Sequence, residues 1–235
     1  GETIPQECDA VVTLHDSPEF ADADLSWIHL ISAGVDHFPI QKYAANGTAV
    51  TNSSGVHAEC MAENAMGLMI THAHRLDRFL AAQRDAQWRR DLAWREKLTL
   101  HGRTLCVIGL GPIGRKVAEY GDALGMEVRG VRRRQEPVEH VEELYAPDEL
   151  ERALSDSQFV VICVPLTEET RNLISANELG IMSEDAFLIN ISRGTVVDEG
   201  ALLDAVRSDE IAGAALDVFE EEPLPEESPL WSEED

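Results

Sequence analysis

Three glycines give the first chemical signal in this chain. Gly109, Gly111 and Gly114 form a Gly-x-Gly-x-x-Gly pattern, with Pro112 and Ile113 between the last two. Each position answers a physical need. Gly109 lets the chain turn sharply out of a strand. Gly111 lacks a Cβ, so a pyrophosphate can approach the backbone. Gly114 lets the following helix pack closely on the strand. The free N–H groups of that helix's first turn then face the phosphates, with the helix dipole behind them. The pattern alone is weak. Here an apolar run, 104–108, leads into it and an amphipathic run, 112–124, follows, with Ile113, Val117, Tyr120 and Leu124 on one face. The implied ligand is a dinucleotide.

Such a loop needs a sheet to carry it. From residue 104 onward, strand-like and helix-like segments alternate. Strands are predicted at 104–108, 127–131, 159–164, 186–191 and 212–216, and helices at 112–124, 147–154, 177–182 and 199–207. That alternation predicts an α/β fold with a doubly wound parallel sheet. A shorter α/β stretch precedes it, with strands at 10–14, 27–32 and 49–52 and one long helix over 58–80. The expected division is 1–72 and 73–235, with an arm at about 76–100 bearing Trp88 and Trp94.

Charge bounds the partners. The chain has 235 residues, of which 44 are Asp or Glu and 19 Lys or Arg, a net charge of −25. Small domains commonly carry a magnitude of about 2–8. The acids are spread along the whole length, and lysine occurs only at Lys42, Lys97 and Lys116. Self-repulsion of this size destabilises a fold in dilute buffer. At molar salt the Debye length falls to about 3 Å and the repulsion is screened. The composition reads as that of a halophile's cytoplasmic protein. It argues against nucleic acid and anionic membrane as partners. No apolar run approaches the roughly 18–20 residues of a membrane span. Cys8, Cys60, Cys106 and Cys163 are scattered, which suggests neither a disulfide framework nor a metal site.

Four later segments converge with the glycine loop. They are Val164-Pro165-Leu166-Thr167 with Glu169-Thr170, Asn190-Ile191-Ser192-Arg193-Gly194 with Val197-Asp198-Glu199, Gly213 to Phe219, and Glu222-Pro223-Leu224-Pro225. Their order and spacing resemble the D-isomer-specific 2-hydroxyacid dehydrogenase family. Ser32-Ala33-Gly34-Val35-Asp36 and Thr51-Asn52-Ser53 look like pieces of that family's substrate domain. The resemblance implies a Rossmann nucleotide-binding domain plus a partial flavodoxin-like substrate domain. It implies reduction of 2-oxo acids to D-2-hydroxy acids, reversibly, with hydride from a nicotinamide cofactor.

Residue by residue, the resemblance makes Arg193 the catalytic arginine. Its fork suits a substrate carboxylate and a polarised carbonyl. Glu222 matches the catalytic glutamate, which raises the pKa of a histidine and keeps it protonated. The backbone N–H groups of Ala33, Gly34 and Val35 match a second carboxylate clamp. Asp217 matches the residue at the nicotinamide carboxamide. Val164, Pro165, Thr170, Ile191 and Ser192 would line the cofactor. The 76–100 arm implies a homodimer. None of the eight histidines lies in the family's catalytic context. The expectation is therefore a polypeptide truncated at both ends that binds cofactor more readily than it turns over.

Cofactor choice is read from the second strand of the nucleotide domain. An NAD-specific site places Asp or Glu about 20 residues beyond the glycines, on the ribose 2′-OH. Here the strand ends in Arg132, Arg133 and Arg134. Three guanidinium groups would attract a 2′-phosphate, so NADP(H) is expected over NAD(H). The rival reading is a nucleotide-sensing, corepressor-like binding protein on the same fold, because fold does not fix function.

Overall fold

The structure, a computed structural model, describes residues 8–90 and 97–233. Its contacts divide the chain into two compact units, Gly1–His57 and Ala58–Asp235.

The first unit is a three-stranded parallel sheet of order β1-β2-β3. Its elements are β1 (Ala10–Thr13), α1 (Glu19–Asp22), β2 (Trp27–Leu30), α2 (Ile40–Ala44) and β3 (Ala49–Asn52). Along β2 burial alternates, as a strand with one covered face requires. Ile28 and Leu30 are fully buried against Phe20, Phe38 and Tyr43. Each such side chain contributes about 1.5–3 kcal/mol by leaving water.

The second unit opens with two helices, α3 (Ala58–His74) and α4 (Leu76–Arg84). It continues with β4 (Thr104–Ile108), α5 (Pro112–Ala123), β5 (Glu127–Val131), β6 (Glu143–Tyr145), α6 (Leu150–Leu154) and β7 (Phe159–Ile162). The last elements are α7 (Ala176–Ile181), β8 (Phe187–Asn190), α8 (Glu199–Arg207) and β9 (Gly213–Leu216). All six strands are parallel, in the order β6-β5-β4-β7-β8-β9. Renumbered within the sheet this is 3-2-1-4-5-6, the Rossmann order, whose switch point lies between β4 and β7. The central strands β4, β7 and β8 are buried at every position, as helices on both faces demand. Leu105 and Val107 face a layer with Ala62, Met69 and Val117, while Cys106 and Ile108 face Leu154, Ile174 and Leu179. Burial pushes the Cys106 thiol up to about 12, so it acts as a small hydrophobe.

Three features differ from the expectation. The helix predicted over 58–80 is broken at Arg75, whose backbone is left-handed with φ 53° and ψ 41°. The Leu98 N–H takes the Ala73 carbonyl at 2.7 Å, an acceptor that an unbroken helix would use itself. A sixth strand, β6, was not expected. It has only three residues, one of them Glu143, whose carboxylate lies 3.3 Å from Arg129 on the neighbouring strand. The division falls at 57/58 rather than 72/73, because α3 packs through Ala62, Ala65, Met66 and Met69 into the core of the second unit. Within the arm, Trp88 is exposed; Trp94 lies outside the described residues. Among the described residues, no helix is long and apolar enough to cross a membrane, and no group of three or more His, Cys, Asp or Glu could hold a metal ion.

Candidate functional site

The glycine turn has the geometry its spacing predicts. Gly109 has φ +96°, and a Cβ there would meet the Cys163 carbonyl oxygen and the Val164 Cγ1 at 2.8 Å each. A side chain is excluded twice, by backbone strain and by the loop after β7. At Gly114 a Cβ would stand 1.9 Å from the Gly109 oxygen, so α5 rests directly on the turn. At Gly111 a Cβ would meet nothing within 4 Å. That open space over exposed backbone is where a pyrophosphate would fit. Gly111 is the N-cap and Pro112 the first helical residue, so the N–H groups of Ile113 and Gly114 belong to the turn that lacks intrahelical acceptors. The residues present fit a dinucleotide. Gly109, Gly111, Pro112, Ile113 and Gly114 would hold its phosphates.

Two loops flank this turn. The first carries Arg132, Arg133 and Arg134 beyond β5. The Arg132 N–H donates to the Tyr145 carbonyl at 3.0 Å, and the Gln135 amide donates to the Arg132 carbonyl at 2.7 Å. Arg132 is half-buried, and Arg133 and Arg134 are exposed. The second loop follows β7. The Thr170 hydroxyl donates to the Pro165 carbonyl at 2.7 Å and accepts the Thr167 N–H at 2.8 Å. The Thr167 hydroxyl holds the Glu169 carboxyl below its ordinary value, with a smaller pull from Arg133.

A second group of candidate residues stands at the carboxyl termini of β8 and β9, where parallel sheets place ligands. Asn190 ends β8 and is buried. Its Oδ1 accepts the Ser192 N–H at 3.0 Å and the Ser192 hydroxyl at 2.8 Å, and its Nδ2 donates to the Arg193 carbonyl at 2.9 Å. The Arg193 guanidinium donates to the Ser192 carbonyl at 2.7 Å, which sets the start of its direction. Asp217, just beyond β9, donates its N–H to the Asn190 carbonyl at 3.0 Å. Ile191 is buried between these groups in sequence. Gly194 then packs on the next loop: a Cβ there would lie 1.8 Å from the Phe219 carbonyl carbon. Glu222 folds back on that loop, its Oε1 accepting the Phe219 N–H at 3.0 Å. The structure thus brings the segments of Arg193, Asp217 and Glu222 together.

Sequence reasoning left out Asn190 and Glu199 as site residues. Glu199 opens α8 and accepts the Glu220 N–H at 2.6 Å. The available signal at Asn190 was a polar amide ending an otherwise apolar strand, a group that burial obliges to find partners.

In the first unit, the turn after β2 is ordered through its carbonyls. The Asn52 amide donates to Ala33 at 2.6 Å, the Ser32 hydroxyl to Gly34 at 2.8 Å and the Phe38 N–H to Val35 at 3.0 Å.

A parallel sheet of Rossmann order and an open glycine turn define a dinucleotide-binding α/β scaffold, with an arginine at the carboxyl end of one of its strands. The profile described as D-isomer specific 2-hydroxyacid dehydrogenase, NAD binding domain, matches residues 66–235. The glyoxylate reductase of Korarchaeum cryptofilum is 36% identical over 239 aligned positions, covering 96% of this chain and 70% of that protein. The glyoxylate reductase of Pyrococcus horikoshii is 39% identical over 233, covering 93% and 68%. A D-isomer specific 2-hydroxyacid dehydrogenase from Xanthobacter autotrophicus Py2, solved with NADPH and MES, superposes with a TM-score of 0.82 at 34% identity, covering 99% of this chain and 73% of that one. The chain belongs to the D-isomer-specific 2-hydroxyacid dehydrogenase family.

Proposed function

We propose that this chain serves an oxidoreductase that reduces 2-oxo acids to D-2-hydroxy acids, with NADP(H) preferred over NAD(H). One observation carries the reading: Asn190 fixes Arg193 at the end of β8, in the sheet whose β4 ends in the open glycine turn. Relatives named glyoxylate reductase and an NADPH complex of similar fold support it. When bound, the nicotinamide supplies hydride.

The chain's own residues do the rest. Arg193 donates to the substrate carboxylate and to the carbonyl oxygen, stabilising the charge that grows there during reduction. Within the first unit, the backbone N–H groups of Ala33, Gly34 and Val35 offer a turn suited to a carboxylate. Asp217 accepts from the carboxamide, while Val164, Pro165, Thr170, Ile191 and Ser192 wall the cofactor. Arg132, Arg133 and Arg134 receive the 2′-phosphate. Glu222 would hold the family's catalytic histidine protonated.

The same proposal makes the protein a salt-adapted, cytoplasmic homodimer. The net charge of −25 supports the first part, and Trp88, 89% exposed in the arm, supports the last. Sedimentation tests the dimer; a monomer with Trp88 intact contradicts it.

Calorimetry tests the site. Glyoxylate is expected to bind the NADP+ complex of the parent chain and to be lost in Arg193→Ala. NADP+ binding with no glyoxylate uptake by the parent would instead favour a nucleotide-sensing protein.

A further inference from the structure

Glu199 begins α8, yet its carboxylate is spent on a loop 21 residues away. Its Oε1 accepts the Glu220 N–H at 2.6 Å. Glu220 belongs to the turn that ends in Glu222, and Glu222 closes that turn by accepting the Phe219 N–H. Gly194 packs against the same Phe219–Glu220 peptide. An ideal Cβ on Gly194 would lie 1.8 Å from the Phe219 carbon, 2.0 Å from its oxygen and 2.3 Å from the Glu220 nitrogen. One short segment, 193–199, therefore carries Arg193, presses on the turn through Gly194 and grips it through Glu199.

We infer that Glu199 is a positioning residue that latches the Phe219–Glu222 turn to the Arg193 segment, keeping Asp217 and Glu222 in fixed places at the reactive end. The inference rests on the roles proposed above for those residues. The choice of a carboxylate has a physical reason. A charged acceptor holds a backbone N–H about twice as strongly as a neutral one. It does so here against opposition. Burial foremost, and then the like charge of Glu220, lift its pKa, while the Glu220 amide bond pulls the other way. The helix behind it is anchored independently, since the Asp198 carboxylate caps the Ala201 N–H at 2.9 Å. Glu199 is thus not needed to start α8, and its oxygen is available for the loop.

The test compares the parent 235-residue chain with Glu199→Ala and Glu199→Gln, using amide hydrogen exchange, calorimetry with NADPH, and the emission of bound NADPH. In Glu199→Ala, exchange at Glu220 should accelerate by about tenfold or more, as a locally opened segment does. The emission of the bound nicotinamide should change, while the NADPH Kd stays within about threefold, which is under 1 kcal/mol. Glu199→Gln keeps an acceptor oxygen, now neutral, and should restore much of the exchange protection together with the emission. Parent-like exchange at Glu220 in Glu199→Ala, or failure of Glu199→Gln to restore it, overturns the latch. If Glu199→Ala does not fold, the Glu220 amide proton of the parent decides. It should shift as the Glu199 carboxyl ionises and lose that shift in Glu199→Gln; an amide blind to this substitution overturns the latch. Absence of NADPH binding by the parent would sink the proposed function instead, and the exchange result would still stand.

Discussion

The buried Asn190 amide holds the Arg193 carbonyl at 2.9 Å, and the Asn190 backbone carbonyl holds the Asp217 N–H at 3.0 Å. One residue thereby ties the arginine proposed for the substrate to the aspartate proposed for the nicotinamide. Asn190→Ala removes three side-chain bonds and leaves the Ser192 N–H and the Arg193 carbonyl without that partner. Unsatisfied buried groups cost about 1–3 kcal/mol each. Urea unfolding should show a loss of about 2–3 kcal/mol. Glyoxylate uptake should weaken more than NADPH uptake. An unchanged unfolding midpoint would contradict the scaffold role.

The two glycines of the α5 start should respond in opposite ways. Gly114→Ala puts a methyl 1.9 Å from the Gly109 oxygen, so it should lower stability and cofactor binding together. Gly111→Ala meets open space, so the fold should keep its unfolding midpoint. The methyl would instead occupy the pyrophosphate's approach and weaken NADPH by roughly tenfold or more, about 1.4 kcal/mol. Calorimetry beside thermal unfolding separates the two effects.

The arginine turn should discriminate between cofactors. Charge-assisted hydrogen bonds contribute about 1.5–3 kcal/mol. Arg132→Ser with Arg133→Ser should weaken NADPH by about 10- to 100-fold and leave NADH nearly unchanged. Equal binding of both cofactors before and after substitution would contradict the preference for the 2′-phosphate.

Glu199 sets a pH dependence of known sign. Its folded pKa is raised by burial, which outweighs the downward pull of the Glu220 N–H, so the native state holds this proton more tightly than the unfolded chain. Stability from this group is greatest when it is protonated and falls as pH rises through the folded value. Glu199→Gln should therefore be more stable than the parent at neutral pH. The difference should shrink towards zero below the ordinary carboxylate range. A constant difference from acid to neutral pH would contradict the assignment.

Salt should stabilise the chain. With a net charge of −25, raising KCl from millimolar to molar screens self-repulsion. The melting temperature should rise by about 2–4 °C for each kcal/mol of repulsion removed. A flat salt profile would contradict adaptation to brine.

The glycine turn and the central strands were readable because their physics is local. β4, β5, β3 and α8 fall on the predicted residues. The runs in β4, β7 and β8 are continuous because both faces are covered. β6 was not readable: three residues give no periodicity, and its pairing with β5 is a tertiary event. The break at Arg75 was hidden because apolar spacing continues through it, while the competing donor, Leu98, arrives from a distant segment. Arg193, Asp217 and Glu222 could be named from motif order. Their scaffold could not, because Asn190 and Glu199 act through bonds to loops whose proximity only the folded sheet reveals.

The central claim is that the β4–α5 turn accepts a dinucleotide beside a positioned arginine. Its most direct test is calorimetric titration of the folded chain with NADPH and NADH in molar KCl. Saturable uptake of one NADPH per chain, tighter than NADH, is the predicted result. No heat of binding from either coenzyme, with the chain folded, would contradict the account.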